Sequence, residues 1–504
     1  MASAKSVEQR LHKSGSEGSI KLTAHPDGLG NLLQVTEGIG LRATVFNLSN
    51  TIMGGGILGL PFAVAKLGVC AGCALLVFTA GFGALSVWML LVAMEETRQK
   101  SFAEVANVLY GQSGAILVDT TIALYNIGVL VSYVMILGDI LPDFMNSMGA
   151  PVELQHRTLL LILSACFVLW PLSSLPNMGM LRHASLVCIL MIGCLAFSLV
   201  FLEIRSLSAP ELEPLQLGCQ DAEGFLTQLP VLIFAYTCNM NVPIFYKELR
   251  AQTHEQIDSK FKTKKEKMMF ATYLSFALCF LAYLFVAMCG YGAFRSRTMP
   301  DILSNLHSSE FGPAPWVKIA YSLVMFTSYP VMCFSCVASV YRLYWEFWSF
   351  FHTDEEAYKR FEACSPSADA LSPGDMSPKV FSTPYQWAEE VHLREKVDFQ
   401  APSQGRTPPP EPRQEVRQLL VVIIISSSVL AAIVLPDLSV VFGLTGGFCG
   451  GLVSFCFPGA FYVRVARKKS ERLPCGPWLG HLLVWLGLVA GVFSSGVVAW
   501  QAMS

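Results

Sequence analysis

The sequence predicts an all-α membrane protein that crosses the bilayer many times, arranged as an inverted repeat of five plus five helices with an eleventh helix added. Hydrophobic residues make up 53% of the 504 residues and charged residues only 14%, far fewer than the roughly one quarter of a soluble domain. Eleven apolar segments are long enough to cross a hydrocarbon core of ~30 Å. Segments one and six, five apart in order, both contain helix-breaking residues.

The apolar segments divide the chain into four parts. A polar tail, residues 1–40, is predicted to be disordered and cytoplasmic. Spans one to eight fall within 41–351, and spans nine to eleven fall within 418–504. The segments run approximately through residues 43–67, 69–94, 116–142, 156–175, 181–203, 225–246, 268–293, 315–345, 418–436, 439–463 and 477–502.

The distribution of basic residues predicts the orientation in the membrane. The loop after segment six carries seven lysines and arginines between residues 247 and 267, and the loop after segment ten carries five between 464 and 472. The loop after segment five is acidic instead, with Glu211, Glu213, Asp221 and Glu223. Since basic loops remain in the cytosol, the amino terminus is predicted to be cytoplasmic and the carboxyl terminus to lie on the opposite side.

The first apolar segment contains the most unusual stretch, Val45–Phe62 (VFNLSNTIMGGGILGLPF). Three consecutive glycines, Gly54–Gly56, each cost about 1 kcal/mol in a helix interior. Unwound backbone in hydrocarbon is tolerated only where it lines a cavity or packs in protein. Asn50 and Thr51 supply polar side chains one turn before the glycines. The stretch therefore predicts a binding site, and close helix packing through small residues is the structural alternative.

The sixth segment is interrupted in the same way. Its apolar residues give way to Tyr236–Asn241, and Pro243 follows. A proline removes a backbone donor and disfavours helix at the preceding residue. Paired broken helices in equivalent positions of an inverted repeat indicate a transport site. Their half-helix amino ends suit a carboxylate and their carbonyl ends suit a cation, so a free amino acid matches both.

Other features limit the classes of function. The formal net charge of −2 argues against a nucleic acid partner. No catalytic constellation or ATP-binding loop stands out, so the chain is not predicted to be an enzyme and the expected energy source is an ion gradient. The expected partners are a free amino acid and the lipid bilayer.

A long loop separates segments eight and nine. Residues 352–417 are rich in proline and serine and are predicted to form a disordered cytoplasmic segment. Five Ser-Pro or Thr-Pro steps make a proline-directed kinase a possible partner of this loop. Such steps are also common in any disordered segment of this composition.

Several motifs resemble one known family. The first span resembles the signature of the amino acid/auxin permease superfamily, and within it the sodium-coupled neutral amino acid transporters of solute carrier family 38. Further similarities lie in the third, sixth and tenth spans. The motifs are FNLSNTIMGGGILGLP at 46–61, LYNIG at 124–128, GDILP at 138–142, YTCNMNVPIFYKEL at 236–249 and VFGLTGG at 441–447.

The resemblance implies a LeuT-type fold and secondary active transport of amino acids. It also implies a sodium ion between the unwound first span and the eighth. Carried over by motif, the ligands are the side chain of Asn50, the carbonyl of Met53, and the hydroxyls of Thr327 and Ser328. The alternative is that Thr327 and Ser328 bond only their own helix backbone.

The predicted substrate site combines both breaks. The carboxylate is expected at Thr51, Gly54, Gly55 and Gly56, with Tyr236 and Asn239 on the opposite side. Neither break contains an acidic residue, which disfavours lysine or arginine as the substrate.

One departure from the family favours sodium over protons. Asn239 occupies a position where the family often has histidine, so an obvious titrating group is missing there. Asp119 and Asp139 of the third span remain candidate proton carriers, although each falls near an end of its span.

These observations predict sodium-coupled symport of small neutral amino acids by alternating access, at the plasma membrane. A proton-coupled exporter of a lysosome or vacuole is one alternative, because the fold does not determine the coupling ion. An amino acid sensor with little transport is another.

Overall fold

The computed structural model describes residues 40–175, 182–207, 213–219, 222–249, 263–308, 311–351, 412–435, 438–468 and 476–503. The tail predicted to be disordered, apart from residue 40, lies outside the described residues. Most of the loop 352–417, with its Ser-Pro and Thr-Pro steps, also lies outside them.

The described residues form eleven helical spans. Span 1 is Leu41–Ile52 with Leu60–Leu67; span 2 is Val69–Thr97; span 3 is Gln112–Ser147; span 4 is Arg157–Ser164 with Trp170–Ser173; span 5 is Arg182–Ser206; span 6 is Ala222–Tyr236 with Val242–Glu248; span 7 is Lys264–Phe294; span 8 is Ala314–Phe351; span 9 is Gln414–Val434; span 10 is Leu438–Leu444 with Phe457–Lys468; span 11 is Pro477–Met503.

Every predicted apolar segment coincides with one of these helices. Within the described residues, eight helices are long and apolar enough to cross a membrane, and the two bent halves of span 1 would form a ninth crossing. The shorter apolar helices Arg157–Ser173 and Pro477–Phe493 correspond to predicted segments four and eleven. The prediction of an all-α polytopic membrane protein is therefore confirmed.

Both predicted breaks are present. The first helix of span 1 ends at Ile52, a 3-10 helix covers Gly55–Gly59, and the two halves are bent by 48°. Span 6 stops at Tyr236 and resumes at Val242, with a 3-10 turn at Asn239–Asn241 between the halves. Proline in the first turn of the second half restarts the helix, because its missing N–H has no helical partner there.

Two kinds of local structure, short connecting helices and π-helical turns, were not predicted from the sequence. Short helices follow spans 2 and 7, at Phe102–Tyr110 and Ile302–Ser308. Span 10 contains two π-helical turns, Thr445–Gly450 and Leu452–Cys456. A similar turn interrupts span 4 at Ala165–Leu169. Such turns widen a helix locally and often accompany functional sites, and an apolar pattern alone does not reveal them.

Span 3 and span 8 pack together along their lengths. Near the start of span 3 and the end of span 8, Arg342 forms a 2.6 Å ion pair with the buried carboxylate of Asp119. The amide nitrogen of Asn126 donates to the hydroxyl of Ser335 at 3.3 Å closer to the membrane centre. Asp119 therefore has a structural partner and lies away from both breaks.

Gly56 allows span 1 to approach the backbone of span 6. A Cβ atom built on Gly56 would lie 2.7 Å from the Cα atom of Ala235. Two backbones this close leave no room for a side chain. The glycine run therefore has a packing role, as the structural alternative proposed, in addition to breaking the helix.

We predict that Gly56→Ala lowers the stability of the protein by ~1–3 kcal/mol, because the added methyl group overpacks the contact with Ala235. Thermal unfolding of the purified protein in detergent measures the effect. Gly81→Ala is the matched control, since a Cβ on Gly81 would meet no atom within 4 Å. Equal unfolding midpoints for the two variants would contradict this account of the contact.

Candidate functional site

The break of span 1 is enclosed by tyrosine side chains from spans 3 and 8. Tyr133 packs on Gly54 and Gly55, and a Cβ atom on Gly55 would lie 3.2 Å from its ring. Tyr321 donates a hydrogen bond of 3.1 Å to the carbonyl of Gly54. The predicted glycines therefore lie where three spans meet. Neither tyrosine was identified from the sequence, although each is a polar aromatic residue inside an apolar span.

Tyr283 of span 7 joins the two breaks. Its hydroxyl lies 2.6 Å from the carbonyl oxygen of Ile52 and 2.8 Å from that of Ala235. Both carbonyls belong to the last turn before a break, where helical acceptors have lost their partners. A single hydroxyl proton is thus shared between the ends of two half-helices. Sequence reasoning missed this residue as well.

Span 7 holds the first half of span 1 through further polar contacts. Ser275 donates to the carbonyl of Val45 at 3.1 Å, and the thiol of Cys279 lies 3.7 Å from the carbonyl of Ser49. With Tyr283 these side chains recur every four residues and so share one face of the helix. Three polar side chains on one face of span 7 therefore contact backbone carbonyls of span 1 over two helical turns.

Asn239 fixes the break of span 6 against its neighbours. Its amide nitrogen donates to the hydroxyl of Ser86 in span 2 at 2.7 Å and to the carbonyl of Ser454 in span 10 at 3.1 Å. Thr237 contacts the hydroxyl of Ser454 at 2.8 Å. The Oδ1 atom of Asn239 is buried and has no hydrogen-bond partner. The Nδ2 atom of Asn239 thus holds spans 2, 6 and 10 together, while its Oδ1 atom can accept a hydrogen bond from a ligand.

Tyr236 lies at the end of the first half of span 6. Its ring stacks on Phe276 at a centroid distance of 6.0 Å and meets Tyr283 edge to face at 5.0 Å. The hydroxyl is buried and has no hydrogen-bond partner. Tyr236 is therefore held by span 7 while its polar atom can still bind a ligand.

The four predicted sodium ligands occupy different environments. The Oδ1 atom of Asn50 and the Oγ atom of Ser328 are buried, with residue exposures of 4% and 2%, and neither has a hydrogen-bond partner. Met53 is the C-cap residue that directly follows the first half-helix. Thr327 instead donates to the carbonyl of Leu323 at 2.8 Å.

Thr327 and Thr51 both bond their own helices. The hydroxyl of Thr327 also contacts the thiol of Cys188 in span 5 at 2.7 Å. The hydroxyl of Thr51 donates to the carbonyl of Asn47 one turn earlier, at 2.9 Å. Hydroxyls of this kind commonly serve the helix backbone. The structure therefore shows no unsatisfied hydroxyl at either threonine, in contrast to Ser328.

The side chains found on the two breaks are neutral. Among the residues that the structure describes, no three His, Cys, Asp or Glu side chains are grouped to hold a metal ion. The unsatisfied atoms at the breaks are amide and hydroxyl oxygens, which suit a hard cation or the ammonium group of a small solute.

Comparison with known proteins finds similarity to amino acid transporters. The family described as "Transmembrane amino acid transporter protein" matches residues 37–504. Vacuolar amino acid transporter 5 of Schizosaccharomyces pombe is 31% identical over 310 residues, 60% of this chain and 69% of the relative. Vacuolar amino acid transporter 6 of Saccharomyces cerevisiae is 24% identical over 471 residues, 89% of this chain and 96% of the relative.

Solved structures show the same fold. Mhp1, a nucleobase-cation-symport-1 family transporter in a closed conformation with bromovinylhydantoin bound, superposes with a TM-score of 0.52 at 10% identity, covering 93% of this chain and 94% of Mhp1. Mhp1 is a LeuT-fold-like transporter, so the predicted LeuT-type architecture is confirmed. Since the family match spans both breaks and all eleven helical spans, the chain belongs to the transmembrane amino acid transporter family.

Proposed function

We propose that this amino acid transporter carries small neutral amino acids by sodium-coupled symport, with alternating access to a site between the breaks of spans 1 and 6. The observation that carries the proposal is the pair of buried oxygen atoms on Asn50 and Ser328 that have no hydrogen-bond partner. A buried acceptor left unsatisfied costs ~1–3 kcal/mol. A bound sodium ion would satisfy both oxygen atoms and link span 1 to span 8.

The positions of these two oxygens along their helices support a common site. Tyr321 donates to the carbonyl of Gly54, so it fixes the depth of span 8 against span 1. Ser328 lies two turns beyond Tyr321 on the same face, and Asn50 lies one turn before Gly54. Since an odd and an even span run in opposite directions, both lie on the same side of the Tyr321–Gly54 contact, toward the start of span 1.

The substrate proposal rests on the neutral environment of the breaks. The backbone of Gly54–Gly56 together with Thr51 would bind the carboxylate near the amino end of the second half of span 1, where the helix dipole favours an anion. Tyr236 and Asn239 would contact the remaining part of the amino acid. Their unsatisfied oxygen atoms accept hydrogen bonds but carry no charge, which favours a neutral side chain over a basic one.

A second candidate function is proton-coupled export of amino acids from an acidic organelle. Its support is that two relatives covering much of this chain are named vacuolar amino acid transporters. The same names favour an internal membrane over the plasma membrane expected from the sequence. The two functions share the fold and the substrate site, and differ in the ion that drives transport.

Uptake into proteoliposomes containing the pure protein distinguishes these functions. A labelled mixture of amino acids is supplied under a sodium gradient at equal pH, or under a pH gradient without sodium. Sodium-driven uptake supports the symport proposal, and uptake driven by protons alone selects the export function. Binding without uptake under either gradient contradicts both and indicates a sensor.

We predict that Asn50→Ala and Ser328→Ala each raise the sodium concentration for half-maximal uptake by about tenfold or more, a loss of ~1.4 kcal/mol in ion binding. The physical reason is the loss of one oxygen ligand. Ser427→Ala is the control, because Ser427 is exposed in span 9 and bonds only a carbonyl of its own helix. If the sodium concentration for half-maximal uptake were unchanged in both Asn50→Ala and Ser328→Ala, at normal protein amounts, the assignment of these residues as sodium ligands would be wrong.

We predict that Tyr283→Phe lowers the free energy of unfolding by ~1–3 kcal/mol and slows uptake, because two buried carbonyls lose their shared donor. Denaturant unfolding and initial uptake rates measure the two effects. Tyr273→Phe is the matched control in the same span, since Tyr273 is 55% exposed. If both variants behaved like the parent protein, the hydroxyl of Tyr283 would not be coupling the two breaks.

A further inference from the structure

Arg295, which directly follows the last residue of span 7, is a buried cation without a partner. Only 8% of the residue is exposed. Its Nε and Nη1 atoms are buried and have no hydrogen-bond partner. Among the described residues, Arg295 takes part in no ion pair. An unpaired charge in a protein interior is far more costly than an unsatisfied amide, so a negatively charged ligand at Arg295 would stabilise the folded protein.

The backbone of Arg295 is held in an unusual conformation. Its φ and ψ angles are 52° and −126°, in a region that glycine occupies readily and other residues avoid. Its N–H donates to the carbonyl of Tyr291, and its carbonyl accepts from the N–H and the hydroxyl of Thr298 at 3.2 and 2.7 Å. The backbone is therefore fully bonded while the guanidinium is not. Glycine would remove the strain and the buried charge together, so arginine at this position indicates a role for its side chain.

The segment 213–219 folds over the end of span 7 and supplies a neighbour for Arg295. The N–H of Gln216 donates to the hydroxyl of Tyr291 at 2.9 Å, and the carbonyl of Gln216 accepts a bond of 2.9 Å from the first residue of span 2. Within the described residues the hydroxyl of Tyr291 accepts this bond and donates none. Tyr291 lies one turn before Arg295, so its hydroxyl is a second donor at the end of the same helix.

Two carboxylates at this end of the bundle leave Arg295 without a counter-charge. Glu213 interacts electrostatically with Arg297, which is exposed two residues further along the chain. The carboxylate of Glu203 in span 5 lies against Gly292. The ion pairs of the described residues join neither of these carboxylates to Arg295. Arg297 and Arg295 are thus close in sequence and differ in both exposure and charge partner.

Arg295 lies outside the proposed substrate site. It follows Tyr283, which contacts the ends of both broken helices, by twelve residues. Twelve residues of α-helix extend for about 18 Å. A ligand bound by Arg295 would therefore be distinct from an amino acid held between the breaks.

We propose that Arg295 binds a small monovalent inorganic anion such as chloride at the end of span 7. The guanidinium supplies the positive charge and N–H donors, and the hydroxyl of Tyr291 supplies a further donor. The low exposure of Arg295 leaves little room for a lipid headgroup, and one unpaired cation matches one negative charge. The bound anion would neutralise Arg295 and stabilise the junction between span 7 and the segment 213–219. The proposal depends on neither the coupling ion nor the substrate of the proposed function.

The test compares thermal unfolding in sodium chloride and in sodium gluconate at equal ionic strength, so that the sodium concentration does not change. The full-length chain is purified and placed in lipid nanodiscs. Arg295→Gln removes the buried charge, and Arg297→Gln is the matched control because Arg297 is exposed. Binding of radiolabelled chloride to the same three proteins is measured by scintillation proximity.

We expect chloride to raise the unfolding midpoint of the parent and of Arg297→Gln by about 2 °C or more, because a ligand that binds only the folded state stabilises it by mass action. Arg295→Gln should show no such shift and should bind chloride at least about tenfold more weakly. In gluconate, Arg295→Gln should unfold at or above the midpoint of the parent, because an unpaired buried charge has been removed. That result also shows that the variant folds.

Equal chloride-dependent shifts in Arg295→Gln and the parent would overturn the proposal, as would a parent protein that binds no chloride. A midpoint of Arg295→Gln well below that of the parent in gluconate would also overturn it, because the guanidinium would then already have a partner. Displacement of labelled chloride by neutral amino acids would assign Arg295 to the substrate carboxylate and reject a separate site. The uptake assay is independent: chloride binding that requires Arg295, without sodium-driven uptake, would retain the anion site and reject sodium symport.

Discussion

The close approach of span 1 to spans 3 and 6 at the glycine run is the contact on which the rest of the site depends. Unwinding a helix in a low-dielectric interior leaves backbone donors and acceptors without partners, at a cost of about 1–3 kcal/mol for each buried group. Gly56 lets the chain pass within contact distance of Ala235. Tyr283 can then reach the carbonyl ends of both half-helices at once. Packing and hydrogen bonding therefore stabilise the same break, and neither would be possible with larger side chains.

The residues around the breaks differ sharply from those at the two ends of the bundle. At the breaks, the groups that remain unsatisfied are neutral oxygens. Ion pairs lie toward the two ends of the bundle: Asp119 pairs with Arg342 at one end, and Asp143 pairs with Lys318 at the other. This separation has a physical basis, because an unpaired charge inside the membrane is far more costly than an unsatisfied amide. A neutral acceptor can therefore remain without a hydrogen-bond partner at the breaks at moderate cost. A charged side chain is less costly where water or an opposite charge is near.

The sequence alone predicted the number of helical segments, their approximate bounds and the positions of both breaks. Span length follows from the thickness of the bilayer, and a run of glycines, or a proline next to polar residues, disfavours a continuous helix. These are local effects, which the order of residues is sufficient to reveal. The motifs of the first and sixth spans also indicated the family, and the family match over residues 37–504 agrees with them.

Tertiary structure decided which polar atoms are occupied. Thr327 and Ser328 are neighbours in sequence, yet the first bonds its own helix and the second has no partner. Adjacent helical residues point about 100° apart, so the neighbouring spans determine their surroundings. Tyr133, Tyr283 and Tyr321 reach the breaks from other helices. Sequence thus determined where the helical spans lie and where they break, while contacts between distant helices decided which buried polar atoms at the breaks have a hydrogen-bond partner.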